Sequence, residues 1–517
     1  MRNSRRVAVL VGLVLLATQG CGGGGGGGRS TPPPPPAWAC YGGDAQHTAI
    51  SAVGARDLVR SRWSRPVDLA PQYTGDTLYI HYGSPVITAS NTVIIPVKTG
   101  ALDGFRVDAV RGATGDSLWS FPTDYVLPPH SWTPALNTCL TPAGRLYVPA
   151  AGGTMLFRDA PDVAGDAPTG RVAFFGDALY ATGNNATAFA STVFVNTPPT
   201  PDAAGNVYFG VQVTGTNPAG LESSVVKLGS DGSATVASVT GFASDMTKVQ
   251  HGCAPALSAD GATLYVTVNA TDGTGSSAGW LVALRTSDLS LRGKVRLKDP
   301  RSGADAIVED ASTASPTIGP DGDVYVGVLE NPFPANNDRG WLLHFSGSLL
   351  TTKTPAAFGW DDTASIVPAT AVPGYAGPST YLLAIKYNNY AGAGGDGVNR
   401  LAVVDPSVSA IESVSGFTAM KEILTVAGVT PDAGARPTWP NAVREWCINT
   451  AAVSPATRSI LCNSEDGRCY RWNLVTNALE QGITLAPPTG EAYTPTVIGP
   501  DGTVYAINNA VLHALGD

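Results

Sequence analysis

Residues 315–328 read SPTIGPDGDVYVGV. Ser315 and Pro316 open a strand at a place where Pro is tolerated. Asp321-Gly322 is a hairpin turn, because Gly accepts the positive φ that such turns require. Val324-Tyr325-Val326 then alternates as a half-buried strand does. The pattern returns at 254–268 (APALSADGATLYVTV) and 494–507 (TPTVIGPDGTVYAI). It returns again at 199–211 (PTPDAAGNVYFGV), 133–149 (TPALNTCLTPAGRLYVP) and 84–97 (SPVITASNTVIIPV), with looser copies at 368–386 and 449–462. These eight copies recur roughly every 45–80 residues, the spacing of propeller blades. The expected fold is all-β: an eight-bladed β-propeller of four-stranded blades over 37–517, or seven blades if 368–386 belongs to an insertion. Residues 60–67 (RSRWSRPV) read as a lone strand, and 511–517 (VLHALGD) as a third strand with no fourth. Uniting them closes the ring and removes the free edges that invite aggregation.

A net charge of −9 with 14% charged residues argues against a nucleic-acid partner, which needs a basic footprint. No run of about 18 apolar residues reads as a spanning helix. The first 20 residues read as an export signal, with Arg2, Arg5 and Arg6 before the apolar stretch 7–17. Ala17-Thr18-Gln19-Gly20-Cys21 resembles a bacterial lipobox, although Thr18 and Gln19 depart from its commonest form. The resemblance implies cleavage before Cys21 and acylation of it; the alternative is an ordinary signal peptide cut nearby. Residues 21–36 then form a tether, Gly-rich and afterwards Pro-rich. Gly22 in place of Asp suggests, by analogy with lipoprotein sorting, an outer-membrane lipoprotein facing the periplasm or the exterior.

Without Cys21, Cys40, Cys139, Cys253, Cys447, Cys462 and Cys469 remain. An even count in an exported chain fits disulfides. Cys462 and Cys469 flank a Ser-Glu-Asp-Gly turn, which is expected to set them opposite each other within bonding range. The other four allow three pairings. No CxxC pair suggests zinc, and no metal site is expected.

The first copy carries one further motif. Between its third and fourth strands, residues 109–119 read AVRGATGDSLW. This is similar to the A-x-D-x-x-T-G-x-x-x-W signature of PQQ-like propellers, with Arg111 in place of Asp. The Thr-Gly pair makes a turn, and Trp119 should pack between neighbouring blades. Segments WLVAL at 280–284, WLLHF at 341–345 and YRWNL at 470–474 look like later third strands. The family implies two kinds of function. Quinoprotein dehydrogenases hold pyrroloquinoline quinone (PQQ) and calcium on the propeller axis and oxidise alcohols or sugars. The lipid-anchored propeller of the outer-membrane β-barrel assembly machinery works without cofactor or catalysis. This chain has no Cys-Cys pair and no identifiable calcium set. The expected function is a non-enzymatic, monomeric scaffold in the envelope that binds a protein or polysaccharide and carries no cofactor; a PQQ- and calcium-dependent dehydrogenase is the alternative.

Aligned on the Pro of each copy, the preceding loop places His81, His130, Val195, His251, Ser312, Ala364 and Glu491 at one repeat position, with Glu445 if Asn449 replaces the Pro. That loop enters the innermost strand, so the position should ring the mouth of the central channel. Trp132 and Trp446 lie beside it, with Asp310, Asp361 and Asp362 in the same loops. The long loops 212–224, 269–279, 330–340 and 388–400 fall on the same face, and long loops on a rigid scaffold are where binding usually sits. The candidate ligand site is therefore His81, His130, Trp132, His251, Glu445, Trp446 and Glu491, with no catalytic residue. The bland alternative is that these histidines only hydrogen-bond neighbouring loops.

Overall fold

The computed structural model describes residues 37–517 apart from Asp76, Tyr79, Thr133 and 488–494. The expected signal, Cys21, the tether and Glu491 lie outside the described residues. The chain forms eight four-stranded antiparallel blades arranged as an eight-bladed β-propeller. Blade one shows the rule: Val86–Ile87 lies innermost, followed outward by Thr92–Lys98, Phe105–Arg111 and Ser117–Thr123. In blade five the outermost strand is reduced to two bridges, Leu342 to Ala356 and Phe345 to Thr352. The looser sixth copy is a full blade, Ser365–Pro368, Tyr381–Tyr387, Arg400–Ile411 and Thr418–Ala427.

The ring closes as expected. Arg60–Pro66 runs antiparallel to Val511–Gly516, the third strand of blade eight. Trp63 on the closing strand donates its indole N–H to Gly112 O of blade one at 2.8 Å. Its ring covers Gly115, which has a φ of 74°, where a Cβ would lie 2.8 Å from the indole. The Thr-Gly turn of the motif thus seats the closing blade. Trp119 of the same motif does pack between blades: it donates to Pro161 O at 2.7 Å, with the Arg158 guanidinium 4.4 Å from its ring.

Residues 37–51 thread the propeller axis. Trp38 exchanges backbone bonds with Ile87 of blade one. Beyond it, Ala39 O accepts from Leu140 N, Ala45 O from Leu257 N, Gln46 O from Ile318 N, Thr48 O from Ile366 N and Ala49 O from Val453 N. These are the innermost strands of blades two, four, five, six and seven. Innermost strands have one edge with no neighbour of their own, and this segment satisfies backbone groups there. The His47 ring meets Pro316 O at 2.7 Å. Burial pushes its pKa down to about 4, so it is neutral and Nδ1 is the donor. The bonded residues precede the short turns, so the segment seals the end of the axis opposite the long loops.

These bonds also fix the repeat register, which corrects the alignment on Pro. Ile87, Leu140, Leu257, Ile318, Ile366 and Val453 are equivalent. The position of His81, Val195, His251 and Ser312 is then held by Pro134 in blade two, Trp360 in blade six and Cys447 in blade seven. His130, Ala364 and Glu445 are displaced from it. Pro moves relative to the strand because it needs only a place where its missing N–H is not called on. In blade six that place is the end of the inner strand, at Pro368.

The expected Cys462–Cys469 bridge is not formed. Cys462 pairs with Tyr470, and Cys469 with Asn463. Successive residues point to opposite faces, so the two thiols lie on opposite faces of blade seven. Cys462 packs with Leu382 and Val403, and Cys469 with Leu512 and Ala514. The cause is the turn. Ser464 pairs with Arg468, leaving a three-residue loop that ends on Gly467 at φ 81°. All six described cysteines are buried.

Candidate functional site

The loop face carries two groups of polar residues. The first lies on the axis. Asp361 is 3% exposed, and its φ of 44° places it in the left-handed region. Its carboxylate accepts from Thr313 N at 2.8 Å, Thr313 Oγ1 at 3.0 Å and Asn449 Nδ2 at 3.1 Å. His81 Nε2 approaches it at 3.4 Å, and the His81 ring lies 5.5 Å from that of Trp132. Blades one, five, six and seven therefore meet on one carboxylate. Lys386 and these donors hold its pKa below the usual range despite burial. Asp362, beside it, is buried with Lys386 N as its donor at 3.1 Å, and burial raises its pKa to about 8.

His251 is buried close by and bridges loops. Nε2 lies 2.8 Å from Pro129 O and Nδ1 3.3 Å from Asn196 Nδ2. Burial, followed by the Lys248 ammonium, pushes its pKa down to about 4, so it is neutral at pH 7. Lys248 in turn is paired with Asp310 at 2.5 Å. His130 Nδ1 donates to Pro128 O, 2.7 Å away within its own loop. The structure thus brings His81, His130, Trp132 and His251 together around the 129–132 loop. His81 and His251 tie loops together, and His251 does not titrate near neutrality.

The second group is a cleft of about 540 Å³ over blades five to seven. Phe333, Asp338, Tyr390, Asp432, Trp439 and Glu445 are among its lining residues. Three loops build it: 329–340, 388–399 and 428–451. Asn337 Nδ2 donates to Asn389 Oδ1 at 3.0 Å, joining the first two. Asn399 Nδ2 donates to Val443 O at 2.8 Å, joining the second to the third. Phe333 is 53% exposed at the rim.

The cleft is short of positive charge. Burial and the Glu330 carboxylate raise the Asp338 pKa to about 7. Burial and Glu465 raise that of Glu445 to about 8, with Asp338 and Asp432 adding to the effect. Lys386 opposes both shifts from inside the propeller. Behind the wall, the ligand atoms of Glu445, Cys447 and Glu465 lie within 4.8 Å of one another. Carboxyls near neutrality beside aromatic faces suit a cation or an amine, which would restore the missing charge and stack on Trp439 or Tyr390.

Of the expected residues, Glu445 lines this cleft. Trp446 does not: it is fully buried against Tyr470, with ring centroids 5.5 Å apart. Asp338, Tyr390, Asp432, Trp439 and Glu465 were not singled out from the sequence. Two of the long loops held Asp338 and Tyr390. The long connection after Ala427, rich in Gly and Pro, was the unused signal for Asp432 and Trp439.

A quinone and calcium would require free oxygens and open space on the axis. Here the Asp361 oxygens already hold protein donors, and His81, Thr313 and Trp132 crowd the same place. The described axial residues are a poor fit for that pair.

No family model matches this chain, and no curated protein matches it in sequence. Solved structures do. Quinohemoprotein alcohol dehydrogenase from Comamonas testosteroni aligns with a TM-score of 0.53 at 12% identity, over 93% of this chain and 77% of that one. The likeness is one of fold. A europium-containing methanol dehydrogenase gives 0.52 at 10% identity, over 90% and 88%. BamB from Moraxella catarrhalis is a looser match, 0.43 at 11% identity over 89% and 97%. At these identities the likeness extends to the fold alone.

Proposed function

We propose that this chain is a lipid-anchored binding propeller of the bacterial envelope, and that the acidic, aromatic cleft over blades five to seven takes a basic segment of a partner. The cleft carries the reading: three carboxyls from two of its three loops, Asp338, Asp432 and Glu445, surround about 540 Å³ with Tyr390 and Trp439 on its walls. Lys and Arg side chains offer the charge and the apolar stem such a site accommodates. The saturated axial carboxylate supports binding over quinone chemistry.

The test is calorimetry with Lys- and Arg-bearing peptides against Glu-bearing controls. Basic peptides should bind, and more tightly as pH rises from 6 to 9 and Asp338 and Glu445 lose their protons. Trp439→Ala or Glu445→Gln should weaken binding about tenfold or more, the scale of an aromatic or buried-charge anchor. Glu445→Gln should also be the more stable protein at pH 9. A carboxyl with a raised folded pKa costs stability as pH climbs from its ordinary range through about 8. Allowing for solvent at this half-buried group, the gain is about 1–2 kcal/mol. No basic peptide bound at any pH, with dye reduction by alcohols or sugars after adding PQQ and calcium, would overturn the proposal in favour of the dehydrogenase.

The anchor is tested separately. Cys21→Ser should release the protein from the membrane fraction and abolish fatty-acid labelling; equal membrane retention would contradict it.

A further inference from the structure

We propose that Cys40 and Cys139 form a disulfide that staples the axial segment to blade two. Both are fully buried and belong to one apolar core with Val86, Leu136 and Leu140. They flank a single backbone bond: Leu140, after Cys139, donates to Ala39 O, before Cys40, at 2.8 Å. Residues flanking one such bond lie in the separation range that a disulfide spans. The other thiols are engaged elsewhere. Cys462 and Cys469 face opposite sides of blade seven, Cys253 sits against Thr267, and Cys447 faces Glu445.

The bridge would form by exchange with a small-molecule or protein disulfide. Cys40 Sγ, deprotonated, attacks that disulfide and releases one thiolate. Cys139 Sγ, deprotonated, then attacks Cys40 Sγ, forming the Sγ–Sγ bond and releasing the second. The oxidant takes two electrons and, with the two protons, leaves as two thiols. Burial pushes both thiols far above neutrality in the folded protein, so folded, reduced chains should resist oxidation. Exchange belongs to the interval before the axial segment seats. The closed loop encloses all of blade one, and long loops constrain the unfolded chain most.

The inference is independent of the partner and the anchor. The full chain is unfolded under reduction and refolded with oxidised and reduced glutathione. Free thiols are alkylated, and the unreduced digest is mapped by mass spectrometry. The expected result is Cys40 joined to Cys139, with Cys253, Cys447, Cys462 and Cys469 alkylated. The oxidised protein should melt several degrees above the reduced one, and Cys139→Ser should remove the difference. Alkylation of both Cys40 and Cys139 in the refolded protein, or either one joined to another cysteine, would overturn the inference. The map is made on the unsubstituted chain, so it decides even if the variant fails to fold.

Discussion

Asp361→Ala should lower the unfolding free energy by about 3–5 kcal/mol, the scale of removing one partner from a buried charged network. The substitution leaves Thr313 N, Thr313 Oγ1 and Asn449 Nδ2 without their acceptor. It also removes a negative charge facing Lys386, itself 2% exposed. A further cost comes from the φ of 44°, which Ala adopts less readily than Asp. Asp361→Asn should cost clearly less, because it keeps one acceptor oxygen and tolerates that backbone. Urea denaturation of both variants makes the comparison. Asp361→Ala with unchanged midpoint and slope would show that this carboxylate is not structural, and would return the axis to consideration as a ligand site.

Trp38→Ala should cost a similar amount, about 3–5 kcal/mol, as a fully buried Trp truncated to a methyl group does. Trp38 packs in the core shared by blades one and eight, with Ile87, Val497 and Leu512. Gly43 lies against its ring, where a Cβ would be 3.1 Å from Cε2. Among the described residues the indole nitrogen has no hydrogen-bond partner. Trp38→Phe therefore forfeits volume but no bond, and should cost far less than Trp38→Ala. Thermal unfolding of the two variants tests this, and equal losses would mean that the indole N–H matters more than the packing.

The repeat was legible because five of the blades share one turn chemistry. The Gly residues at 144, 205, 261, 322 and 502 all take positive φ between the first and second strands. Closure was legible because a lone strand and an unfinished blade have one common remedy. The axial segment was not, since AWACYGGDAQHTAIS has no alternation and its partners are backbone groups spread over six blades. The cleft was half legible. Loop length marked its walls, but which carboxyls lose their charge depends on three loops meeting, and no single loop records that. His251 misled for the same reason: a histidine in a loop looks ready to titrate until its burial is known. The Cys462 pairing failed on a one-residue difference in turn length, which in a strand reverses the face.

The axial segment also sets an order of events. Ser51 N donates to Val453 O, and Ala49 O accepts from Val453 N. A stretch made before every blade thus finds its last inner-strand partner in blade seven, about 400 residues later in the chain. Contacts this distant in sequence must wait for the chain between them, and they form slowly even then. Until then the earlier blades have their inner edges open. The axis can be sealed only after blade seven exists, so this segment, made before every blade it joins, is among the last to reach its native place.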